Sequence, residues 1–138
     1  MKRLILSCLL LTSCGNLADS PVKKPGNQKK IWARITYYHC NEDKWGARVA
    51  ASPKIKNKAG FGVAAHPDFQ FYTKVRIPIL SGKLDSDDEF QVIDRGSAVT
   101  SKKASGGETY VFDVFVPRNK IREFSREMPR YTWVIVEE

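Results

Sequence analysis

The seven residues Tyr110-Val-Phe-Asp-Val-Phe-Val116 decide the fold. Apart from Asp113 they are aromatic or β-branched, a composition typical of β-strands. Side chains of a strand point alternately to its two faces, and in this run both faces are apolar. The stretch therefore predicts a strand that is buried on both sides, with one carboxyl group among apolar neighbours.

Similar short runs occur on both sides of this strand, and turn residues separate them. The predicted strands are 31–38, 62–65, 74–80, 90–93, 110–116 and 132–136. The first strand alternates two sets of side chains, which are Ile31, Ala33, Ile35 and Tyr37 on one face and Trp32, Arg34, Thr36 and Tyr38 on the other. Pro78 has no N–H to donate, so part of the third run is expected to lie at an edge or a bulge.

One helix is predicted over residues 118–128, directly after Pro117. Ile121, Phe124 and Met128 are spaced so that they share one face of this helix. Six short strands and one short C-terminal helix indicate a mainly β domain. We expect a small closed six-stranded β-barrel rather than an open sheet, because closure leaves no strand edge exposed.

Residues 1–13 have the features of a lipoprotein signal peptide. Lys2 and Arg3 precede an apolar run, residues 4–11, that is too short to span a bilayer. Thr12 and Ser13 then lead to Cys14, whose thiol is a candidate for acylation. An ordinary secretory signal with a chance cysteine is the alternative. Gly15 after the cysteine favours the periplasmic face of the outer membrane over retention at the inner membrane.

The rest of the chain divides into a short linker and one domain. Residues 14–30 are predicted to be a lipidated cysteine and a flexible tether, because this segment has few apolar residues and is rich in lysine. Residues 31–138 have the length of a single compact domain. If Cys14 is acylated and Cys8 leaves with the signal peptide, Cys40 is the only remaining thiol, so no intramolecular disulfide is expected.

The charge balance restricts the classes of partner. The chain has 23 basic and 15 acidic residues and a formal net charge of +8. A basic domain favours polyanions, and export makes nucleic acid the weakest candidate among them. Anionic lipid and a carboxylate-bearing wall polymer remain, with charge kept only for solubility as the alternative.

Two aspartates are candidates for chemistry. A buried, ionised Asp113 without a partner would cost several kcal/mol, so this residue is expected to be paired, protonated or functional. Asp94 ends the run 90–93, where a strand gives way to a turn. The structural alternative is that Asp94 caps this turn and Asp113 bonds to backbone amides in the core.

These aspartates belong to an ordered set of motifs: Asp94-Arg-Gly-Ser-Ala-Val99, Val111-Phe-Asp-Val-Phe115, a helix, and a terminal Trp-Val-Ile-Val run. The set resembles the three-aspartate domain and the barrel of membrane-bound lytic transglycosylase A, which carry Asp-x-Gly-Gly-Ala-Ile followed by Asp-Val-Phe or Asp-Ile-Tyr. Thr36-Tyr37-Tyr38 is similar to the Thr-x-Tyr of the family's first strand. Gly62-Val-Ala-Ala-His-Pro67 is similar to the family's Ile-Ala-Val-Asp-Pro. The resemblance covers residues 31–136 and implies a double-psi β-barrel.

The resemblance also implies an activity, the cleavage of the MurNAc-GlcNAc bond of peptidoglycan with an anhydro-sugar product. Ordinary glycosidases need two carboxyl groups, but one suffices when a hydroxyl of the sugar itself is the nucleophile. Asp113 would then be the acid and base, and Asp94 would orient it or stabilise positive charge on the sugar. Substrate contacts are predicted from five residues, which are Thr36, Tyr38, His66, Arg95 and Ser97. Trp45 and Tyr72 are further candidates for stacking on sugars, with a place in the core as the alternative.

Three departures from the family pattern keep a second function open, and one of them is the connection 100–109, which is longer than the family's. His66 stands where the family has its first aspartate, and Ser97 replaces the second glycine of the Asp-x-Gly-Gly motif. A non-catalytic, expansin-like glycan-binding barrel and a purely structural lipoprotein are therefore the competing hypotheses. No metal or cofactor is expected, because His39, Cys40 and His66 do not have a recognised ligand spacing. The expected partners are peptidoglycan strands and, through Cys14, a membrane; the protein is expected to be a monomer.

Overall fold

A computed structural model describes residues 26–40, 51–52 and 58–138 of the chain. The predicted signal peptide, Cys14 and Trp45 lie outside these residues. The described strands are β1 (Gln28–Tyr38), β2 (Gly62–Ala64), β3 (Lys74–Arg76), β4 (Glu89–Asp94), β5 (Val111–Phe115) and β6 (Tyr131–Glu137). Two α-helices accompany them, α1 (Ser97–Thr100) and α2 (Ile121–Glu127). Within the described part of the chain, no helix is long and apolar enough to cross a membrane.

The six strands form one sheet whose hydrogen bonding closes into a ring, in the order β1-β5-β2-β4-β3-β6 and back to β1. The pairs β1–β5 and β2–β4 are parallel, and the other four pairs are antiparallel. The predicted mainly β, closed six-stranded architecture is confirmed at this level. Because every strand has two partners, the ring has no unpaired edge along its paired segments.

β5, the strand of the run 110–116, lies between β1 and β2. A run that is apolar on both faces requires such a place inside the sheet. Phe112 and Val114 of β5 point into the interior of the ring, with Val63 of β2 and Val92 of β4. Val111 and Phe115 point to the other face, where they pack in a second cluster with Tyr38, Ala64 and Val99. Fully burying a Val or Phe side chain contributes roughly 1.5–3 kcal/mol, so both faces of β5 help to hold the fold.

The alternation predicted for β1 is confirmed. Ala33 and Ile35 are buried in the interior, and Ile31 and Tyr37 pack against the same cluster. The Tyr37 ring meets Phe124 of α2 edge-on, with the ring centroids 5.3 Å apart. The predicted helical face is confirmed as well, because Phe124 is buried and Ile121 and Met128 pack on the interior cluster.

Several element boundaries differ from the sequence predictions by one or two residues, and four differences are larger. β1 begins at Gln28, so residues 28–30 are strand rather than tether. The third strand ends at Arg76, and Pro78–Leu80 form a 3-10 turn, because proline cannot donate to a strand ladder. The predicted helix 118–128 starts as a 3-10 turn over Arg118–Lys120 and is α-helical only from Ile121. The four-residue helix α1 was not predicted, so the C-terminal helix is not the only one described.

Candidate active site

Four residues on four neighbouring strands form one row across the sheet, which we call the aspartate row. Asp113 of β5 lies opposite Thr36 of β1 on one side and Ala64 of β2 on the other. Ala64 in turn lies opposite Asp94 of β4. Directly opposed residues of a sheet point to the same face, so both carboxyl groups lie on the face away from the main interior. One strand separates them, which places their Cα atoms about 10 Å apart.

A β-bulge brings Asp94 into this row. The register between β2 and β4 runs from Val63–Val92 to Ala64–Asp94, so Ile93 is an extra residue without a partner in the ladder. In a regular ladder Ala64 would face Ile93, and Asp94 would point to the opposite face, because side chains alternate. The bulge therefore turns Asp94 towards Asp113.

Asp113 is half-buried, although its four strand neighbours are buried. Its Oδ1 atom accepts a hydrogen bond of 2.7 Å from the Thr36 hydroxyl. This short bond to a carboxyl group links β1 to β5 on the outer face and fixes one side-chain orientation. Thr36 therefore lies beside the candidate acid, and its predicted contact with substrate remains a prediction.

Asp94 is held from three directions. Its Oδ1 atom accepts hydrogen bonds from the backbone N–H of Arg95 at 2.8 Å and from that of Ala51 at 2.9 Å. Its Oδ2 atom accepts one from the Tyr38 hydroxyl at 3.0 Å. Tyr38 itself is buried and its ring packs against Phe115, with the centroids 5.0 Å apart. The two polar residues predicted on β1, Thr36 and Tyr38, thus each contact a different aspartate.

The guanidinium of Arg95 contacts backbone carbonyls of its own neighbourhood. It donates to the carbonyl oxygens of Ala65, Phe69 and Asp94 at distances of 2.6–3.2 Å. It also lies over the Phe71 ring, 4.1 Å from the centroid. Burial lowers the pKa of Arg95, and the neighbouring Asp94 charge opposes this effect. These contacts give Arg95 a structural role, clamping the segment after β2 to the end of β4; its predicted contact with substrate remains a prediction.

His66 belongs to a separate polar cluster after β2. Its Nδ1 atom accepts a hydrogen bond from the backbone N–H of Asp68 and lies 3.2 Å from the carboxylate of that residue. The Tyr110 hydroxyl donates to the same carboxylate at 2.6 Å. This bond, together with the nearby His66 and Lys102, lowers the pKa of Asp68, and it raises the pKa of Tyr110. The contacts described for His66 match the satisfied loop residue rather than a partner of Asp94 or Asp113.

Ser97 and Tyr72 complete the predicted residues in the described part of the chain. Ser97 is exposed at the start of α1, where its carbonyl oxygen accepts hydrogen bonds from Ser101. Tyr72 has a positive φ of 72°, and its hydroxyl shares a 2.6 Å hydrogen bond with Ser52. The backbone of Ser52 in turn donates to the Ile93 carbonyl at 2.8 Å. Tyr72 therefore positions the segment that contacts Asp94, and a role in stacking on sugars remains a prediction.

Sequence reasoning missed the pair Ala51–Ser52, which contributes to the surroundings of Asp94. Both residues are small, lie far from the strand motifs, and act partly through backbone N–H groups. Backbone groups leave no signal in a side-chain motif, so nothing in the sequence distinguishes these positions.

A pocket of about 370 Å³ adjoins the row at Thr36. It is lined by part of β1 and by the connection from α2 to β6, including Arg34, Ser125 and Arg130. Within residues 26–40, 51–52 and 58–138, no cluster of three or more His, Cys, Asp or Glu side chains could hold a metal ion. The row therefore offers carboxyl and hydroxyl groups, with two arginines at the pocket beside it.

No protein-family model matches this chain, and no curated protein matches it either.

Proposed function

We propose that this chain is an exported, lipid-anchored lytic transglycosylase that cleaves the MurNAc-GlcNAc bond of peptidoglycan. The observation that carries the proposal is the aspartate row. Two carboxyl groups that are 19 positions apart in sequence share one face of the sheet, and each is contacted by a hydroxyl of β1. Partial exposure of Asp113 allows a substrate oxygen to reach its carboxyl group.

Asp113 acts as the acid and then as the base. Its protonated carboxyl donates the proton to the bridging glycosidic oxygen, and the bond between that oxygen and the MurNAc anomeric carbon breaks with its electron pair on the oxygen. A hydroxyl of the same MurNAc then attacks the anomeric carbon. The Asp113 carboxylate takes the proton that this hydroxyl loses, so the enzyme ends in its initial state and the product is an anhydro sugar.

Asp94 supplies a fixed negative charge in this scheme. Both of its oxygens already accept hydrogen bonds, two from backbone N–H groups and one from Tyr38. A carboxylate held in this way is poorly suited to exchange protons with a substrate. It is well suited to stabilise the positive charge that develops on the sugar ring, because it needs no reorganisation during the reaction.

The proposal also includes the type of β-barrel and the location of the protein in the cell. Parallel pairing of β1 with β5 and of β2 with β4, inside an otherwise antiparallel ring, supports a double-psi β-barrel of the three-aspartate type. The signal-like residues 1–13 and Cys14 support anchoring to the periplasmic face of the outer membrane, where peptidoglycan is within reach.

The second candidate function is a non-catalytic glycan-binding lipoprotein. One observation favours it: the position of the family's first aspartate is taken by His66, whose described contacts are with Asp68 and Tyr110 rather than with the row. Under this hypothesis the row binds sugar hydroxyls and breaks no bond.

Incubation of the full-length chain with purified peptidoglycan distinguishes the two functions. We expect wild type to release anhydro-muropeptides and Asp113→Asn to release them about 10²–10⁴-fold more slowly, the usual cost of losing a general acid. The matched control is Asp85→Asn, which changes an exposed aspartate in the turn before β4 and should keep the wild-type rate. Binding to peptidoglycan without any anhydro product from wild type would support the binder, and neither binding nor product would leave only a structural role.

A further inference from the structure

Three large apolar side chains are exposed together on one face of β1 and β6. Trp32 and Trp133 are each 46% exposed, and Tyr131 is 37% exposed. Trp32 lies directly opposite Trp133 in the antiparallel ladder, and Tyr131 lies opposite Arg34. We call the three aromatic residues the aromatic platform. A cluster of exposed apolar side chains is typical of a surface that binds another molecule.

Cations accompany the aromatic rings of the platform. The Lys30 ammonium lies 4.8 Å from the centroid of the Trp133 ring, and the Arg34 guanidinium lies 5.3 Å from that of Tyr131. The two tryptophan rings meet edge-on, with centroids 5.2 Å apart. The buried Nε atom of Arg34 has no hydrogen-bond partner among the described residues. The platform therefore combines apolar ring surface with two positive charges.

The platform lies on the same face of β1 as the aspartate row. Trp32, Arg34 and Thr36 are alternate residues of one strand, so their side chains point the same way. Trp32 and Thr36 are four residue steps apart along the strand, which is about 13 Å. Arg34 lies between them and also lines the pocket that adjoins Thr36. An extended ligand that lies along β1 would contact the platform, then Arg34, then the carboxyl group of Asp113.

We propose that the aromatic platform is a substrate subsite that binds a carboxylate-bearing glycan strand and directs it along β1 into the aspartate row. This inference rests on the proposed function. Pyranose rings expose apolar C–H groups that pack against aromatic rings, and Lys30 and Arg34 pair with the carboxylates that peptidoglycan carries. We commit to a glycan strand rather than a bilayer, because the platform continues along β1 through Arg34 to the pocket that adjoins Thr36, an elongated path that suits an extended chain.

The first test measures binding without turnover. Full-length protein in detergent, carrying Asp113→Asn, is sedimented with insoluble peptidoglycan sacculi. Adding Trp32→Ala and Trp133→Ala is expected to weaken binding at least about tenfold, since exposed tryptophans in such patches carry much of the affinity. The matched control is Phe61→Ala, which removes another aromatic ring with a cation above it, Lys58 at 4.0 Å, beside the β2–β4 pair. This control should bind like the parent.

The second test isolates the charges and does not depend on the packing of the tryptophans. The pair Lys30→Gln and Arg34→Gln should weaken binding to carboxylate-bearing muropeptides several-fold and leave binding to neutral chitooligosaccharides unchanged. This pair decides the question if the double tryptophan variant fails to fold.

Three outcomes overturn the subsite. The first is sacculus binding that none of these changes affects. The second is a loss of binding, in the platform variants, to vesicles of anionic phosphatidylglycerol but not to sacculi, which would make the platform a membrane contact. This comparison is made in a Cys14→Ser background, so that the lipid anchor does not contribute. The third is a shift from dimer to monomer in the tryptophan variant, which would make it an interface between two copies.

The release of anhydro products by the Asp113-containing chain separates the two proposals. If products form and the platform variants have unchanged KM and sacculus binding, the subsite is wrong and the proposed function stands. If wild type releases no product but binding still depends on the platform, the proposed function fails and glycan recognition at the platform stands.

Discussion

Replacing Thr36 by valine tests whether the β1 hydroxyl positions the candidate acid. Valine keeps the shape and the β-branched stiffness of threonine, so the strand should form as before. The change removes the 2.7 Å hydrogen bond to Asp113 Oδ1. A hydrogen bond contributes about 0.5–1.5 kcal/mol when its acceptor is neutral and about 1.5–3 kcal/mol when it is charged, so for this partly exposed pair we expect about 1–2 kcal/mol.

Two measurements follow from this value. Urea unfolding of Thr36→Val should show a free energy of unfolding lower by about 1–2 kcal/mol with an unchanged m-value. If the same bond holds Asp113 in its reactive orientation, kcat for product release should fall about 5–30-fold with little change in KM. Thr36→Ser retains the hydroxyl and should recover most of the lost kcat.

The control is Thr132→Val, at a half-buried threonine of β6 that lies opposite Ala33. It should leave kcat unchanged. The reasoning is refuted if Thr36→Val has the wild-type kcat and stability. It is also refuted if Thr36→Ser is as slow as Thr36→Val, because the hydroxyl would then be irrelevant.

Two further predictions concern stability. Burial raises the pKa of Tyr37 from its ordinary value of 10.0 to about 12, against an opposing effect of Arg34. The unfolded chain therefore ionises Tyr37 first, and wild type should lose about 1–2 kcal/mol relative to Tyr37→Phe as the pH rises from 10 towards 12. Equal alkaline unfolding curves for the two proteins would contradict this. Arg95→Gln removes the bonds to the carbonyl groups of Ala65 and Phe69 and should lower the free energy of unfolding by about 2–4 kcal/mol. Arg122→Gln, at an exposed position of α2, is its control and should unfold like wild type.

Much of the fold is predictable because local patterns and tertiary packing agree here. The alternation in β1 and the doubly apolar run in β5 each determine which side chains face the interior. For the same reason, the spacing of the apolar residues within 118–128 predicts which face of the helix packs on the interior. The predicted strand 74–80 extends past the end of β3 at Arg76. The fixed φ and missing N–H of Pro78 favour a 3-10 turn there over a strand.

The candidate site was predictable in its members more than in its arrangement. The motifs selected Thr36, Tyr38, Asp94 and Asp113, and all four lie together on one face. The same motifs selected Arg95, whose guanidinium contacts backbone carbonyls instead. Ala51 and the Trp32–Trp133 pair were not selected, because a backbone donor and a cross-strand contact have no local signature.

By itself, the sequence determined that six strands form and on which face of each strand the apolar side chains lie. Both follow from the period of the residues along each strand. Only the tertiary structure decided which polar residues meet. Strand order brings Asp113 beside Thr36 although 77 positions separate them. One extra residue, Ile93, turns Asp94 onto the face of Asp113, and a shift of one residue reverses the direction of a side chain. Whether two carboxyl groups share a face therefore depends on register, which the chain acquires only when its strands pair.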